Sequence, residues 1–202
     1  MISNLKKINK KDIGELLKEW SQEFTVFVPS KEEGVAKMAR WDGEDTSFMD
    51  WYRNTVEPAK ANFFPPWEEM FSFQKNKEGY HIELPAPDEH KQLIFGIRPC
   101  DARSLAILDM TFKDLYEDPY YLPKRNNTVL IGLGCTRPYD SCFCTSLGIS
   151  PAESTDVDLM LTDIGDQFLV EEVTDKGKEL IAKTSDLKEA TETDETRAKE
   201  AK

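Results

Sequence analysis

Apolar residues near the start of the chain follow a helical period, whereas further along they gather into short runs bounded by turn residues. Ile13, Leu16, Leu17 and Trp20 stand at i, i+3, i+4 and i+7, the spacing of one helical face. Asp12-Ile13-Gly14-Glu15 has the form of a capping box, so a helix is expected over residues 12–23. Thr25-Val26-Phe27-Val28 reads as a strand stopped by Pro29, and residues 35–41 alternate apolar with polar or small side chains. Together they predict a hairpin. Asn62-Phe63-Phe64-Pro65-Pro66-Trp67 cannot be regular helix or central strand, because two prolines remove donors and fix φ. Its aromatics are expected to plug a surface of the core, with docking of a partner as the lesser alternative. Residues 80–84 suggest one more strand, followed by a turn at 85–88.

The central third is more regular. Gln92-Leu93-Ile94-Phe95-Gly96-Ile97 and Thr128-Val129-Leu130-Ile131-Gly132 are short apolar runs, which suit strands buried on both faces. Between them Asp101 is placed to cap a helix carrying Leu105, Leu108 and Phe112. Strand, helix and strand within about 40 residues is the size of a right-handed βαβ unit with parallel strands. Residues 158–163 and 167–173 read as a strand pair turning at Ile164-Gly165-Asp166, and residues 174–183 as a short helix. From residue 184 the chain is charged, free of aromatics and nearly without apolar positions, the pattern of a linker or frayed helix. The expected class is therefore α/β, mixed with α+β features: a short βαβ unit preceded by a helix-and-hairpin region. Residues 1–183 read as one module, divided at about residue 90, and 184–202 as a disordered charged tail.

Composition narrows the function. Hydrophobic residues make up 39% and charged residues 32%, and no apolar run approaches the roughly 20 residues that cross a bilayer. Membrane insertion is not expected. The opening Met1-Ile2-Ser3-Asn4-Leu5-Lys6-Lys7 lacks an apolar signal core, which favours a cytoplasmic location over secretion. A net charge of -12 repels phosphate backbones and makes nucleic acid an improbable ligand.

All four cysteines are then drawn to one edge. In the βαβ reading Cys100 and Cys135 follow the carboxyl ends of the two buried strands, and Cys142 and Cys144 lie in the loop that leaves the second. That edge is where open α/β sheets place ligands. Disulfides suit a cytosolic chain poorly. The spacing C-x34-C-x6-C-x-C lacks the C-x2-C knuckles of zinc ribbons. Cys-Phe-Cys beside Pro138, Tyr139, Asp140 and Ser141 is too polar a segment for inert core thiols. Four thiolates do complete the ligand set of an iron-sulfur cluster, and a 4Fe-4S cluster is expected over 2Fe-2S. Zinc and unligated thiols stay as alternatives. In an extended chain Cys142 and Cys144 would point the same way with α-carbons roughly 6–7 Å apart, a span that a cluster face can bridge. The helix dipole is expected to favour Cys100 as thiolate. Arg98, the nearest fixed positive charge, is a candidate cofactor-binding residue that offsets cluster charge or pairs with an acidic neighbour.

Other motifs are weak. Gly132-Leu133-Gly134-Cys135-Thr136-Arg137 lacks the third glycine of a dinucleotide fingerprint. His81 and His90 lie far in sequence from every cysteine, and Glu32-Glu33, Glu68-Glu69 and Glu171-Glu172 read as solvated pairs. No catalytic residue is assigned.

Several separated motifs carry a family resemblance. They are Phe95-Gly96-Ile97-Arg98-Pro99-Cys100-Asp101-Ala102-Arg103, Asp118-Pro119-Tyr120-Tyr121, Gly132-Leu133-Gly134-Cys135, Cys142-Phe143-Cys144-Thr145-Ser146-Leu147-Gly148 and Asp156-Val157-Asp158-Leu159-Met160-Leu161-Thr162-Asp163. In order, these resemble the amino-terminal region of iron-sulfur beta subunits of cytosolic nickel-iron hydrogenases (sulfhydrogenase type) and the A subunit of anaerobic sulfite reductase. The resemblance covers residues 91–180 well and the first 90 loosely. It implies electron relay between a flavin-bearing, NAD(P)H- or ferredoxin-linked subunit and a hydrogenase or sulfite reductase catalytic subunit. The chain would then be a component of an oxidoreductase complex. Such subunits continue into a ferredoxin-like domain with two C-x2-C-x2-C-x3-C-P runs, and no cysteine follows Cys144 here. A docking scaffold with a zinc site or no metal is the rival expectation.

Overall fold

Charge rather than apolar periodicity marks the first strand, β1 (Lys6–Asn9), which is why its sequence gives no strand signal. A 3-10 turn over Lys10–Asp12 feeds helix α1 (Ile13–Trp20), and all four residues of the expected apolar face are buried. Asp12 does not cap the helix; its carboxylate accepts from Asn9 Nδ2 instead. The computed structural model describes residues 5–86, 88–152 and 155–202, so the predicted turn at 85–88 lies partly outside the described residues.

Strands β2 (Thr25–Glu32) and β3 (Val35–Arg40) form the expected antiparallel hairpin, but β2 runs straight through Pro29. On its other side β2 pairs with the central strand β6 (Gln92–Ile97) only as far as Phe27. Pro29 therefore stands where the strand has one neighbour, a position at which a missing N–H is tolerated. The chain between β3 and β6 holds a one-turn helix α2 (Phe48–Trp51), a 3-10 turn at Ala59–Asn62, and a separate hairpin of β4 (Ser72–Asn76) and β5 (Gly79–Glu83).

The predicted βαβ unit is present. Strand β6 leads through helices α3 (Pro99–Lys113) and α4 (Tyr121–Asn126) to β7 (Thr128–Leu133), which lies parallel to β6, and every residue of both strands is buried. Asp101 sits inside the first turn of α3 rather than capping it; Arg98 is the N-cap and Pro99 opens the helix, the position at which proline costs no hydrogen bond. Gly96 adopts φ +83° where the β6–β7 register shifts, a conformation strained for residues with a Cβ. A long loop, without α-helix among its described residues, joins β7 to β8 (Leu159–Asp163), again parallel, and β9 (Gln167–Glu172) returns antiparallel. Helix α5 (Asp175–Lys183), the two-residue strand β10 (Lys188–Glu189) and helix α6 (Glu192–Ala201) complete the chain.

The strands form one sheet in the order β10-β1-β9-β8-β7-β6-β2-β3, whose centre, β8-β7-β6-β2, is parallel. On one face Trp20 of α1 and Leu180 and Ile181 of α5 pack on Phe95, Ile131 and Leu161. On the other, Ala102 and Leu105 of α3 and Tyr121 of α4 pack on Ile94, Leu130 and Met160. This is a three-layer α/β arrangement. Buried Asp158 fastens α5 to it: its carboxylate accepts from the Leu130 N–H at 2.8 Å and from Thr174 Oγ1, and its carbonyl accepts from Val173 N–H. Gly177 packs so closely that a Cβ there would lie 2.1 Å from that carbonyl oxygen, which explains a glycine in the first turns of a helix.

The carboxyl-terminal segment corrects the expectation of a disordered tail at 184–202. Thr191 and Asp194 form a reciprocal capping box on α6, Lys7 Nζ donates to Asp194 Oδ2 at 2.6 Å, and Ala198 joins Ile164 and Leu169 in a small apolar cluster. One alanine and one capped carboxylate thus dock a helix whose composition predicts solvation. Asp194 is held down to about 2, first by the Lys7 hydrogen bond and then by the Thr191 contacts. A folded-state pKa below the ordinary 3.8 gives stability that is full above that value and is lost as pH falls through about 2. Asp194→Asn should therefore lower the urea midpoint at neutral pH, and the gap to wild type should close as pH falls across that window. A gap that stays constant would contradict the ion pair.

Candidate metal centre

Parallel β6 and β7 end at the same edge of the sheet, and their carboxyl ends deliver two cysteines there. Cys100 sits in the first turn of α3, and Cys135 begins the loop after β7. Cys135 is fixed through its main chain, its N–H donating to Pro151 O at 2.8 Å, while Gly134 N–H donates to Leu161 O at 2.9 Å. Cys144 opens a 3-10 turn, Cys144–Leu147, closed by Gly148 at φ +71°. Cys142 lies in a tight turn in which its own N–H donates to Tyr139 O and its Sγ accepts from Tyr139 N–H at 3.2 Å. Cys100, Cys135 and Cys144 are half-buried, and Cys142 is exposed.

The Cys100 thiol is raised to about 11, by burial first and then by Asp101, with Cys144 and Cys135 adding to the effect. Burial and the Asp101 carboxylate outweigh the helix dipole, so the expected preference of Cys100 for the thiolate form is reversed. Asp101 is itself raised by burial, a shift opposed by Lys60 and Arg98. Among the described residues no group of three or more His, Cys, Asp or Glu side chains is drawn close enough to hold a metal ion. His81 and His90 lie against Glu83 and Asp88, at 3.3 and 2.8 Å, on the exposed surface.

Arg98 is buried, and its guanidinium donates to four main-chain carbonyls: Arg53 at 2.6 Å, Leu133 at 3.0 Å, Gly134 at 2.6 Å and Tyr52 at 3.2 Å. It also stacks on the Tyr52 ring, 4.4 Å from its centroid. Arg53 extends the same linkage outward, donating from Nε to Arg137 O at 3.2 Å and from Nη2 to Pro138 O while lying over the Tyr139 ring. The two arginines hold the cysteine-bearing loop against the 52–53 segment. Sequence reasoning named Arg98 but missed Tyr52, Arg53 and Thr55. Nothing in the run Trp51-Tyr52-Arg53-Asn54-Thr55 signals a site, because these residues reach the edge only through tertiary packing.

Tyr52 Oη and Thr55 Oγ1 are buried without a hydrogen bond of ordinary geometry, Tyr52 Oη lying nearest the Arg98 guanidinium and Thr55 Oγ1 nearest the Asp101 carboxyl. Tyr52 also lies in the field of Asp101 and Cys100. Buried hydroxyls left unpaired are costly and unusual. The donors this edge offers are the thiols of Cys100, Cys135 and Cys144, with Cys142 on the adjoining turn, the ligand type of soft-metal and iron-sulfur centres.

Sequence comparison supplies the family. The chain is 31% identical over 163 residues to sulfhydrogenase 2 subunit beta of Pyrococcus furiosus, a match that covers 80% of this chain and 46% of the relative. Over that stretch the chain belongs to the hydrogenase beta-subunit family. It spans about half the length of that curated relative. No family model matches the chain, and no solved structure matches it.

The thiols should differ in reactivity in the metal-free chain. A rise from 9.0 to about 11 leaves Cys100 with roughly a hundredfold less thiolate than an unshifted thiol at neutral pH. Iodoacetamide followed by peptide mass mapping should label exposed Cys142 first and Cys100 last, with Cys100 labelling rising steeply only as pH approaches 11. Early labelling of Cys100 would contradict its burial beside Asp101.

Proposed function

We propose that this chain is an electron-transfer module of a hydrogenase-type complex, with Cys100, Cys135, Cys142 and Cys144 holding one iron-sulfur cluster. The observation that carries the reading is the delivery of Cys100 and Cys135 by adjacent parallel strands to one sheet edge, with Cys142 and Cys144 in the loop that follows. Family membership supports it. The ligand loop is the long β7–β8 connection, whose described residues form a 3-10 turn, Cys144–Leu147. Closing it around a cluster needs local movement of the Cys142 turn, not a change of fold. A 4Fe-4S cluster uses all four thiols, and binding would compensate the raised pKa of Cys100, because a ligating thiol is deprotonated. Arg98 would contribute a buried positive charge beside the centre while keeping its carbonyl partners.

Such a module exchanges electrons with other proteins. In this reading its partners are a flavin-bearing subunit and a hydrogenase or sulfite reductase catalytic subunit, met in the cytoplasm. No helix among the described residues is long and apolar enough to cross a membrane. The aromatic segment divides: Phe63 is fully buried, whereas Phe64 is 58% and Trp67 85% exposed. Phe64 leans on Phe112 with ring centroids 5.3 Å apart. Every residue of β4 and β5 is exposed, including Phe73, Tyr80 and Ile82. A two-stranded hairpin in water is marginal without support, and exposed aromatics of this kind are typical anchors of protein interfaces.

Protein purified without oxygen should contain iron and acid-labile sulfide, and Cys100→Ser or Cys135→Ser should remove most of both while the circular dichroism of the fold persists. Zinc without sulfide would replace this reading with a structural four-thiol site, which carries no electrons. Replacing Phe64 and Trp67 together with alanine should weaken assembly with the partner subunits at least tenfold and leave the iron content unchanged. Unaltered co-purification of the complex would remove this surface from the interface.

A further inference from the structure

The hairpin of β4 and β5 is amphipathic, and its apolar side faces water. The register sets Phe73 opposite Ile82 and Lys75 opposite Tyr80, so these four side chains share one face, and strand alternation adds Phe71 and Leu84 to it. Gln74 with His81 and Ser72 with Glu83 pair on the other face. The five apolar residues are between 54% and 73% exposed. At roughly 200 Å² for a fully exposed large side chain, the face offers about 600 Å². A patch of that size lies at the top of the range for a monomer and marks an interaction site. Tyr120 Oη pins the base of the hairpin to the body by donating to Met70 O at 2.5 Å, but neither strand pairs with the main sheet. A lone two-stranded sheet needs a second layer to be stable in water.

Three features select the occupant. The chain carries a net charge of -12, yet residues 71–84 hold two lysines, Lys75 and Lys77, against two glutamates, Glu78 and Glu83. A second copy therefore meets no local repulsion at this surface. The face also carries opposite charges at its two ends. Lys75 stands at the turn end with its Nζ 5.5 Å from the Tyr80 ring centroid, and exposed Glu69 stands two residues before Phe71 at the open end. Neither has an ion-pair partner among the described residues. Turned about a two-fold axis, the face is its own complement, Lys75 of each copy meeting Glu69 of the other across an apolar centre. Two such faces remove about 1,200 Å² from water, the lower limit of a standard interface.

We propose that two copies of this chain dimerise by stacking their β4–β5 hairpins face to face and antiparallel, as the two layers of a small β-sandwich. The inference is independent of the cysteine site, and Phe64 and Trp67 stay with the partner subunits.

Sedimentation velocity on the full chain should show a concentration-dependent equilibrium between 23.2 kDa and twice that mass. Ile82→Glu should weaken the dimer by about a hundredfold, since a two-fold interface feels each substitution twice. Ile82 is exposed on a hairpin outside the main sheet, so circular dichroism should report an unchanged monomer fold. Glu69→Lys and Lys75→Glu should each weaken the dimer by about tenfold, and the chain carrying both exchanges should recover it. A wild-type chain still monomeric at about 0.1 mM, where even a weak specific dimer is populated, would overturn the proposal. So would a dimer indifferent to Ile82→Glu, species larger than a dimer, or a double exchange that fails to restore what the single ones lose. A chain that is monomeric alone but loses its partner subunits on Ile82→Glu would give the face to a different subunit and overturn the second copy as its occupant.

Discussion

The arrangement at the sheet edge depends on one buried cation. Arg98 follows a strand whose every residue is buried, and its charge is removed from water with no carboxylate among the described residues hydrogen-bonded to it. Four carbonyl dipoles and one aromatic face take the place of the lost hydration. A planar guanidinium with five fixed donors can do this, and a lysine ammonium with three cannot. The carbonyls come from two stretches far apart in sequence, 52–53 and 133–134. Those same stretches bear the Tyr52 phenol and lead into Cys135.

Much of the fold was legible because its centre obeys simple rules. The runs at 92–97 and 128–133 are apolar throughout, as strands covered on both faces must be, and their separation fixes a parallel pair joined through helices. The amphipathic helix at 13–20 and the 159–172 hairpin follow from periodicity in the same way. What escaped was decided by partners. Strand β1 is Lys-Lys-Ile-Asn and exists because β9 and β10 flank it. Helix α6 is docked by Ala198 and by the Lys7–Asp194 pair, neither of which local composition announces.

The site divides along the same line. Chain order and strand direction were enough to bring Cys100 and Cys135 to one edge. Whether Cys142 joins them depends on a tight turn whose geometry is set by the Tyr139 and Arg53 contacts, 84 or more residues apart in sequence for the arginine. The electrostatics were misjudged for a similar reason. A helix terminus predicts a thiolate, but the amount of burial and the side chain next in sequence decide the balance at Cys100. Sequence names the donors, and tertiary packing sets their basicity.

The β4–β5 hairpin has a consequence for the lone chain. It belongs to a two-stranded sheet of its own, apart from the eight-stranded one, so both of its outer edges present unpaired main-chain donors and acceptors, flanked by Phe73, Tyr80 and Ile82. Natural sheets shield such edges with charge, bulges or cover, since an open apolar edge is a template for strand addition. Here Lys75, Lys77, Glu78 and Glu83 supply charge, yet the aromatics stay uncovered. A chain on its own would therefore carry a built-in hazard of self-association through this hairpin, strand adding to strand along either open edge.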